Sequence, residues 1–160
     1  MIHEWTAALE ATEFAAALRN SICSYPLVNV AHIVGVALLL GSIVPLDLRL
    51  LGAWRSVPLA PLWAVLTRTA GVGLVLAIIF GTLLFVTRAS EYAASNLFIA
   101  KMLLILLGTA NALMLRIPPQ PQSKVASTQW QPPARLRVAA AISLATWLAA
   151  VLLGRLIGYF

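Results

Sequence analysis

Charged residues are scarce in this chain of 160 residues, where Asp, Glu, Lys and Arg together make up 10% of the sequence. Soluble domains carry roughly 25%, and so few charges could not cover the surface of a soluble fold of this size. A single cysteine excludes a disulfide scaffold. Hydrophobic residues make up 61% of the chain, which excludes intrinsic disorder. The composition therefore predicts a protein whose main solvent is lipid.

Acidic residues are scarcer still, five against eleven Lys and Arg, which leaves a net charge of +6. In a soluble domain this excess would indicate nucleic-acid binding. Here most of the basic residues flank apolar runs, an arrangement typical of the positive-inside bias and of contact with anionic lipid. We therefore expect the lipid bilayer as a partner and no nucleic acid.

Four apolar segments reach the roughly 20 residues that a membrane-spanning helix needs. They cover about residues 25–50, 61–87, 95–115 and 138–159. The sequence predicts one all-α membrane domain over residues 1–160, an integral four-helix bundle. Residues 1–20 are predicted to form a short interfacial helix, with a plain solvated lead-in as the alternative. Residues 117–134 are rich in proline and predict an extended cytoplasmic loop, with a partner-docking segment as the alternative.

The distribution of basic residues predicts the orientation of these spans. With four spans, both termini lie on one side of the membrane, and the first and third loops lie on the other. The loop side carries Arg49, Arg55, Arg68, Arg116, Lys124, Arg135 and Arg137, and the terminal side carries Arg19, Arg88, Lys101 and Arg155. The positive-inside rule then places the first and third loops in the cytoplasm and both termini on the outer side of the membrane.

Polar side chains inside the spans are costly, at roughly 2.5–3.5 kcal/mol for a charge, so each needs a reason. At 100° per residue, one stripe of the first span is predicted to face the bundle interior. Its members are Asn29, His32, Val36, Leu39, Ile43 and Asp47. Asn111 of the third span is expected to make an interhelical hydrogen bond.

His32 lies in the outer half of its span, where three basic residues of the other spans are also expected. We predict a binding site for an anionic group there, formed by His32, Lys101, Arg88, Arg155 and Asn29. A b-type haem suits it, because imidazole binds haem iron and cations bind propionates. A quinone or another anionic substrate suits it less specifically. His32 would be the metal ligand. The second axial ligand is either Lys101 or absent, which would leave a five-coordinate haem.

Each of these residues also has a structural interpretation. His32 could serve only as a hydrogen-bond partner of a neighbour such as Asn29, and the cations could extend to the headgroups. Copper is an alternative ligand for the protein. Its candidate ligands do not cluster in sequence; they are Cys23, Met102, Met114 and the two histidines. At the inner end, structural ion pairs are predicted, with a proton path as the alternative; they involve Asp47, Arg49, Arg68 and Arg116.

The string YPLVNVAHIVG at residues 25–35, followed by DLRLLG at 47–52, resembles an uncharacterised family of small bacterial four-helix membrane proteins. Further residues that carry the resemblance are Gly81–Phe85, Tyr92, Phe98, Lys101 and Asn111, so it covers about residues 20–116. The His-x-x-Gly and the Lys are distantly similar to those of membrane protoporphyrinogen oxidases, which use a His and a Lys around haem, and of copper-resistance D-type proteins. That similarity implies His32 and Lys101 as the positions of interest.

These observations predict a membrane protein that binds b-type haem, or a related redox group, for electron transfer with a periplasmic redox partner. Two alternatives stay open: an accessory structural subunit of a larger membrane complex, and transport of copper or another metal ion. Rows of small residues on the fourth span suit a partner or a second copy of the chain equally. No Ser or Cys nucleophile stands beside a suitable base, so a hydrolase is not expected.

Overall fold

The structure is a computed structural model that describes residues 2–115 and 132–159. Over these two ranges all the regular secondary structure is helical and no strand occurs, which confirms the predicted all-α class. The helices are α1 (Ile2–Glu10), α2 (Glu13–Asn20), α3 (Ser24–Leu51), α4 (Leu59–Thr87), α5 (Ala89–Ala94), α6 (Asn96–Leu115) and α7 (Ala134–Leu156). The predicted loop over residues 117–134 lies, up to residue 131, outside the described residues.

Four of these helices, α3, α4, α6 and α7, are long and apolar enough to cross a membrane. At 1.5 Å per residue, each is about 30 Å long or longer, the thickness of a bilayer's hydrocarbon core. Their bounds match the four predicted spans to within a few residues. We call the end of these helices near residues 52–58 the loop end, and the end near residues 2–23 the terminal end.

The N-terminal region holds two helices where the sequence predicted a single one. The chain breaks after Glu10 because Thr12 begins a new helix: its hydroxyl accepts from the amide of Ala15 and donates to the carbonyl of Leu9. Both helices pack at the terminal end, α1 against α4 and α5, and α2 against α3 and α4. Glu10 accepts a hydrogen bond from the amide of Ser90, and this contact attaches α1 to α5.

The long helices pack as two antiparallel pairs, α3 with α4 and α6 with α7, and the contact of α3 with α7 joins the pairs. In the described ranges the α4 and α6 backbones do not approach each other closely. Side chains connect them at the terminal end, where the rings of Phe85 and Phe98 stack with centroids 5.3 Å apart.

The closest helix contact is the crossing of α3 and α4 at Gly35 and Gly73. A Cβ added to Gly35 would lie 2.6 Å from the amide nitrogen of Ala77, and one added to Gly73 would lie 2.5 Å from that of Leu39. Small residues permit this approach of two backbones, which is how apolar helices associate without a hydrophobic drive. The crossing holds the first two long helices together near their middle.

The packed interior lies along α3 and α7, towards the loop end. One cluster contains Leu46, Leu50, Leu59 and Ala140, and a second contains Leu39, Ile43 and Trp147. The predicted stripe of α3 is therefore buried at Leu39, Ile43 and Asp47, whereas its first member, Asn29, is exposed. On α7, where the sequence shows rows of small residues, Ala141 and Ala145 are exposed and Ala150 is buried.

Candidate functional site

His32 lies at the third turn of α3 and faces α4. Its Nδ1 is 2.9 Å from the carbonyl oxygen of Ala77. A carbonyl oxygen only accepts, so Nδ1 carries the proton and Nε2 of the neutral ring keeps its lone pair. Within the described residues Nε2 makes no hydrogen bond. An imidazole held through Nδ1 by a backbone carbonyl, with Nε2 free, has the orientation of histidines that bind metals.

The ring of His32 fits against α4 because residue 81 is glycine. A Cβ at Gly81 would lie 3.0 Å from Cε1 and 3.2 Å from Nδ1 of the ring. Such a contact is too close for the ring to stay in place unchanged. Gly81 and the Ala77 carbonyl, one helical turn apart, therefore fix the position and the tautomer of the imidazole together.

Lys101 approaches the same half of the molecule from α6. Its side chain lies along Gly154 of α7, where an added Cβ would be 3.2 Å from Nζ. No described acidic residue pairs with it, and its ammonium is within electrostatic reach of the His32 imidazole. The structure thus places the two residues that the resemblance singles out in the same half of the molecule, His32 against Gly81 and Lys101 against Gly154.

An aromatic stack joins α4, α5 and α6 at the terminal end. The rings of Phe85, Tyr92 and Phe98 lie with centroids 5.3–6.2 Å apart and within 30° of parallel. Phe85 follows Gly81 by one turn, and Phe98 precedes Lys101 by three residues, so each ring lies on the face that carries its site neighbour. Burial raises the pKa of the Tyr92 phenol. Sequence reasoning missed this stack, although the spacing of Phe85 from Gly81 and of Phe98 from Lys101 was visible in the sequence.

The other three predicted site residues do not join His32 and Lys101. Arg88 ends α4 and is exposed, with its guanidinium 3.4 Å from the Glu91 carboxylate. Arg155 is exposed, donates to the Tyr159 hydroxyl and lies 4.6 Å from the centre of that ring. Asn29 is exposed on the second turn of α3. The predicted convergence of three cations on His32 therefore reduces to Lys101.

The predicted ion pairs at the loop end are also not formed among the described residues. Arg49 is 2% exposed and donates to the carbonyls of Val57 and Arg55, at 3.0 and 3.2 Å, because the turn after α3 leaves them without other partners. Residues two apart on a helix point about 200° away from each other, so this turn draws Arg49 away from Asp47. Arg68 is exposed, and Arg116 lies outside the described residues.

Asp47 instead faces α7. Its side chain is 4% exposed, and its hydrogen-bond partner is the hydroxyl of Ser143, while Oδ2 has no partner. Asp47 follows His32 by fifteen residues, about 22 Å along the helix axis. The two groups therefore belong to separate sites. On α6, Asn111 donates to the carbonyl of Ala139, 2.9 Å away on α7, which confirms the predicted interhelical hydrogen bond.

No group of three or more His, Cys, Asp or Glu that could hold a metal ion occurs in the parts of the chain that the structure describes. Cys23 and Met114, both considered as copper ligands, are exposed. Comparison with known proteins adds no assignment: no family model matches the chain, and no curated protein or solved structure is significantly similar to it.

Proposed function

We propose that the chain is an integral protein of the bacterial inner membrane that binds a b-type haem for electron transfer. In this proposal α3, α4, α6 and α7 form a four-helix bundle across the bilayer, with α1 and α2 at the interface. Large apolar side chains on the outside of the long helices, such as Leu103 and Leu106 at 62% and 67% exposure, suit contact with lipid. The excess of basic residues at the loop end favours the cytoplasm for that end.

The observation that carries the proposal is the arrangement of the His32 imidazole. The hydrogen bond from Nδ1 to the Ala77 carbonyl orients the ring and makes Nε2 a better electron donor to a metal. A histidine that only linked two helices would make the same hydrogen bond, so the two roles are separated by whether Nε2 binds the iron. The bound haem would supply a one-electron carrier, and His32 would be the ligand to its iron.

The surroundings of His32 fit such a group. Lys101 offers a cation without an acidic partner in the described residues, suited to a propionate carboxylate. The stacked rings of Phe85 and Phe98 add apolar surface at the terminal end of α4 and α6, which suits the apolar macrocycle of a haem. The site is at the terminal end, which the charge count assigns to the periplasm, so the electron partner would be a periplasmic protein or a neighbouring subunit of a larger membrane complex.

Haem content of purified variants tests the proposal. The protein is produced with ample haem, purified in mild detergent, and its haem is measured per polypeptide. We expect stoichiometric haem in the wild type and in Asn29→Ala, whose side chain is exposed on the same helix, and strong loss in His32→Ala. Equal haem in all three proteins would remove His32 as the ligand. A haem-free wild type that carries copper would instead support metal transport, and one that co-purifies colourless with other subunits would support an accessory role.

A further inference from the structure

Asp47 is the most deeply buried acidic side chain of the described residues. Its carboxyl lies in the interface of α3 and α7, 4% exposed, with the Ser143 hydroxyl as its partner. Its second oxygen, Oδ2, is buried without any hydrogen bond. An ionised carboxylate in such a place would need a cation or several donors, since burying an unpaired charge is very costly.

The described cations near the loop end do not provide that compensation. On α3 itself, Arg49 is held by the carbonyls of Val57 and Arg55. On α4, Arg68 is exposed, and on α7 the nearest basic residues, Arg135 and Arg137, are exposed as well. The two described ion pairs join other residues, at the terminal end.

The neighbourhood of Asp47 suits a neutral carboxylic acid. One oxygen accepts from the Ser143 hydroxyl, and the other is available to carry a proton. Apolar residues, Leu46 and Leu50, flank it on α3 and belong to the loop-end cluster. Asp47 stands four residues before the end of α3, about 6 Å along the axis, so a proton from the loop side has a short distance to travel.

We propose that Asp47 and Ser143 form a proton-binding site in the interior of the membrane-spanning helices, separate from the His32 site. The carboxylate binds one proton from the solution at the loop end and becomes a carboxylic acid, and release to the same side restores the carboxylate. The proton is held between α3 and α7, so its presence or absence changes the charge of the interface that joins the two helix pairs.

Infrared spectroscopy of the detergent-solubilised protein tests this site without reference to haem. At neutral pH we expect a carbonyl stretch of a protonated carboxylic acid that shifts when the protein is exchanged into D₂O. The band should be lost in Asp47→Asn, which keeps the size of the side chain, and retained in Glu91→Gln, which removes an exposed carboxyl. In Ser143→Ala the band should remain but shift to higher frequency, because the carbonyl loses its donor.

Each arm has an outcome that overturns the proposal. A wild-type protein without the band at neutral pH would mean that Asp47 is ionised. A band that persists in Asp47→Asn would belong to another group. If Asp47→Asn does not fold, the Ser143→Ala shift still decides, because an unchanged frequency would separate the band from this interface.

Discussion

Gly81 of α4 lies directly against the imidazole of His32 on α3, and a Cβ at residue 81 would be 3.0 Å from Cε1 of the ring. One turn before it on the same helix, the Ala77 carbonyl accepts the hydrogen bond from Nδ1. Two contacts with the backbone of α4 thus constrain the position of the ring. Any substitution that moves α4 relative to α3 should therefore change the position of Nε2.

Substituting Gly81 by alanine should weaken haem binding without removing the ligand. The added methyl group forces the His32 ring away from its carbonyl partner, and losing such support typically lowers metal affinity by about 10- to 100-fold. Haem titration of the apo-protein measures the change. Gly71→Ala is the matched control, because nothing lies within 4 Å of a Cβ there; a similar loss in both variants would contradict the role of Gly81.

A side chain at Gly35 should lower the stability of the protein, because Gly35 lies at the crossing of α3 and α4. A Cβ at residue 35 would lie 2.6 Å from the amide nitrogen of Ala77 and 3.0 Å from the carbonyl oxygen of Gly73, so Gly35→Ala forces the backbones apart. We expect a loss of about 1–3 kcal/mol, typical of overpacking, measured as the free energy of unfolding in detergent. Gly41→Ala on the same helix meets open space and should be neutral or stabilising. Equal stability of both variants would argue against the crossing.

Removing the Asn111 side chain should loosen the pairing of α6 with α7. Asn111→Ala deletes the hydrogen bond to the Ala139 carbonyl, and such bonds between membrane helices contribute about 0.6 kcal/mol on average and up to about 2. The free energy of unfolding measures the loss, with Asn29→Ala as the control for an exposed asparagine. An Asn111→Ala protein as stable as that control would show that the bond contributes nothing.

The attachment of the N-terminal helices should depend on pH. Hydrogen bonds from Ser90 lower the pKa of Glu10 below its usual value, and Arg19, 3.6 Å from its carboxylate, lowers it further. A lowered pKa in the folded protein means that this stabilisation is complete above the ordinary pKa of about 4.3 and is lost as the pH falls through the lowered value. The protection of residues 2–20 against hydrogen exchange, corrected for the intrinsic exchange rate at each pH, should therefore fall in acid.

Glu10→Gln should show that lower protection already at neutral pH, whereas Glu13→Gln, at an exposed position of α2, should match the wild type. Protection that does not change with pH or with Glu10→Gln would mean that α1 and α2 are held by other contacts. Arg19, which also donates to the Thr87 carbonyl at 3.1 Å, would then be the next residue to examine.

The long helices could be predicted from sequence because apolar length alone decides them, and the burial of Leu39, Ile43 and Asp47 follows from helical periodicity. The directions of Arg88 and Arg155 could not. Depth below a helix end is readable from sequence, but both residues lie where a helix ends, and local partners, Glu91 and Tyr159, determine where they point.

The Asp47–Arg49 pair shows a different failure. Residues i and i+2 of a helix face nearly opposite sides, and the sequence already implied this for Asp47 and Arg49. The use of Arg49 by the turn at residues 52–57 depends on Gly52 adopting a positive φ of 114° to end α3, and that geometry decides which carbonyls lack partners. The break after Glu10 likewise depends on one side-chain cap at Thr12.

The absorption spectrum of the purified wild-type protein, before and after chemical reduction, tests the central claim most directly. If His32 holds a b-type haem, the spectrum has an intense Soret band whose height corresponds to one haem per chain, and reduction shifts it. A protein produced with ample haem that is folded by circular dichroism and has no Soret band would contradict the account.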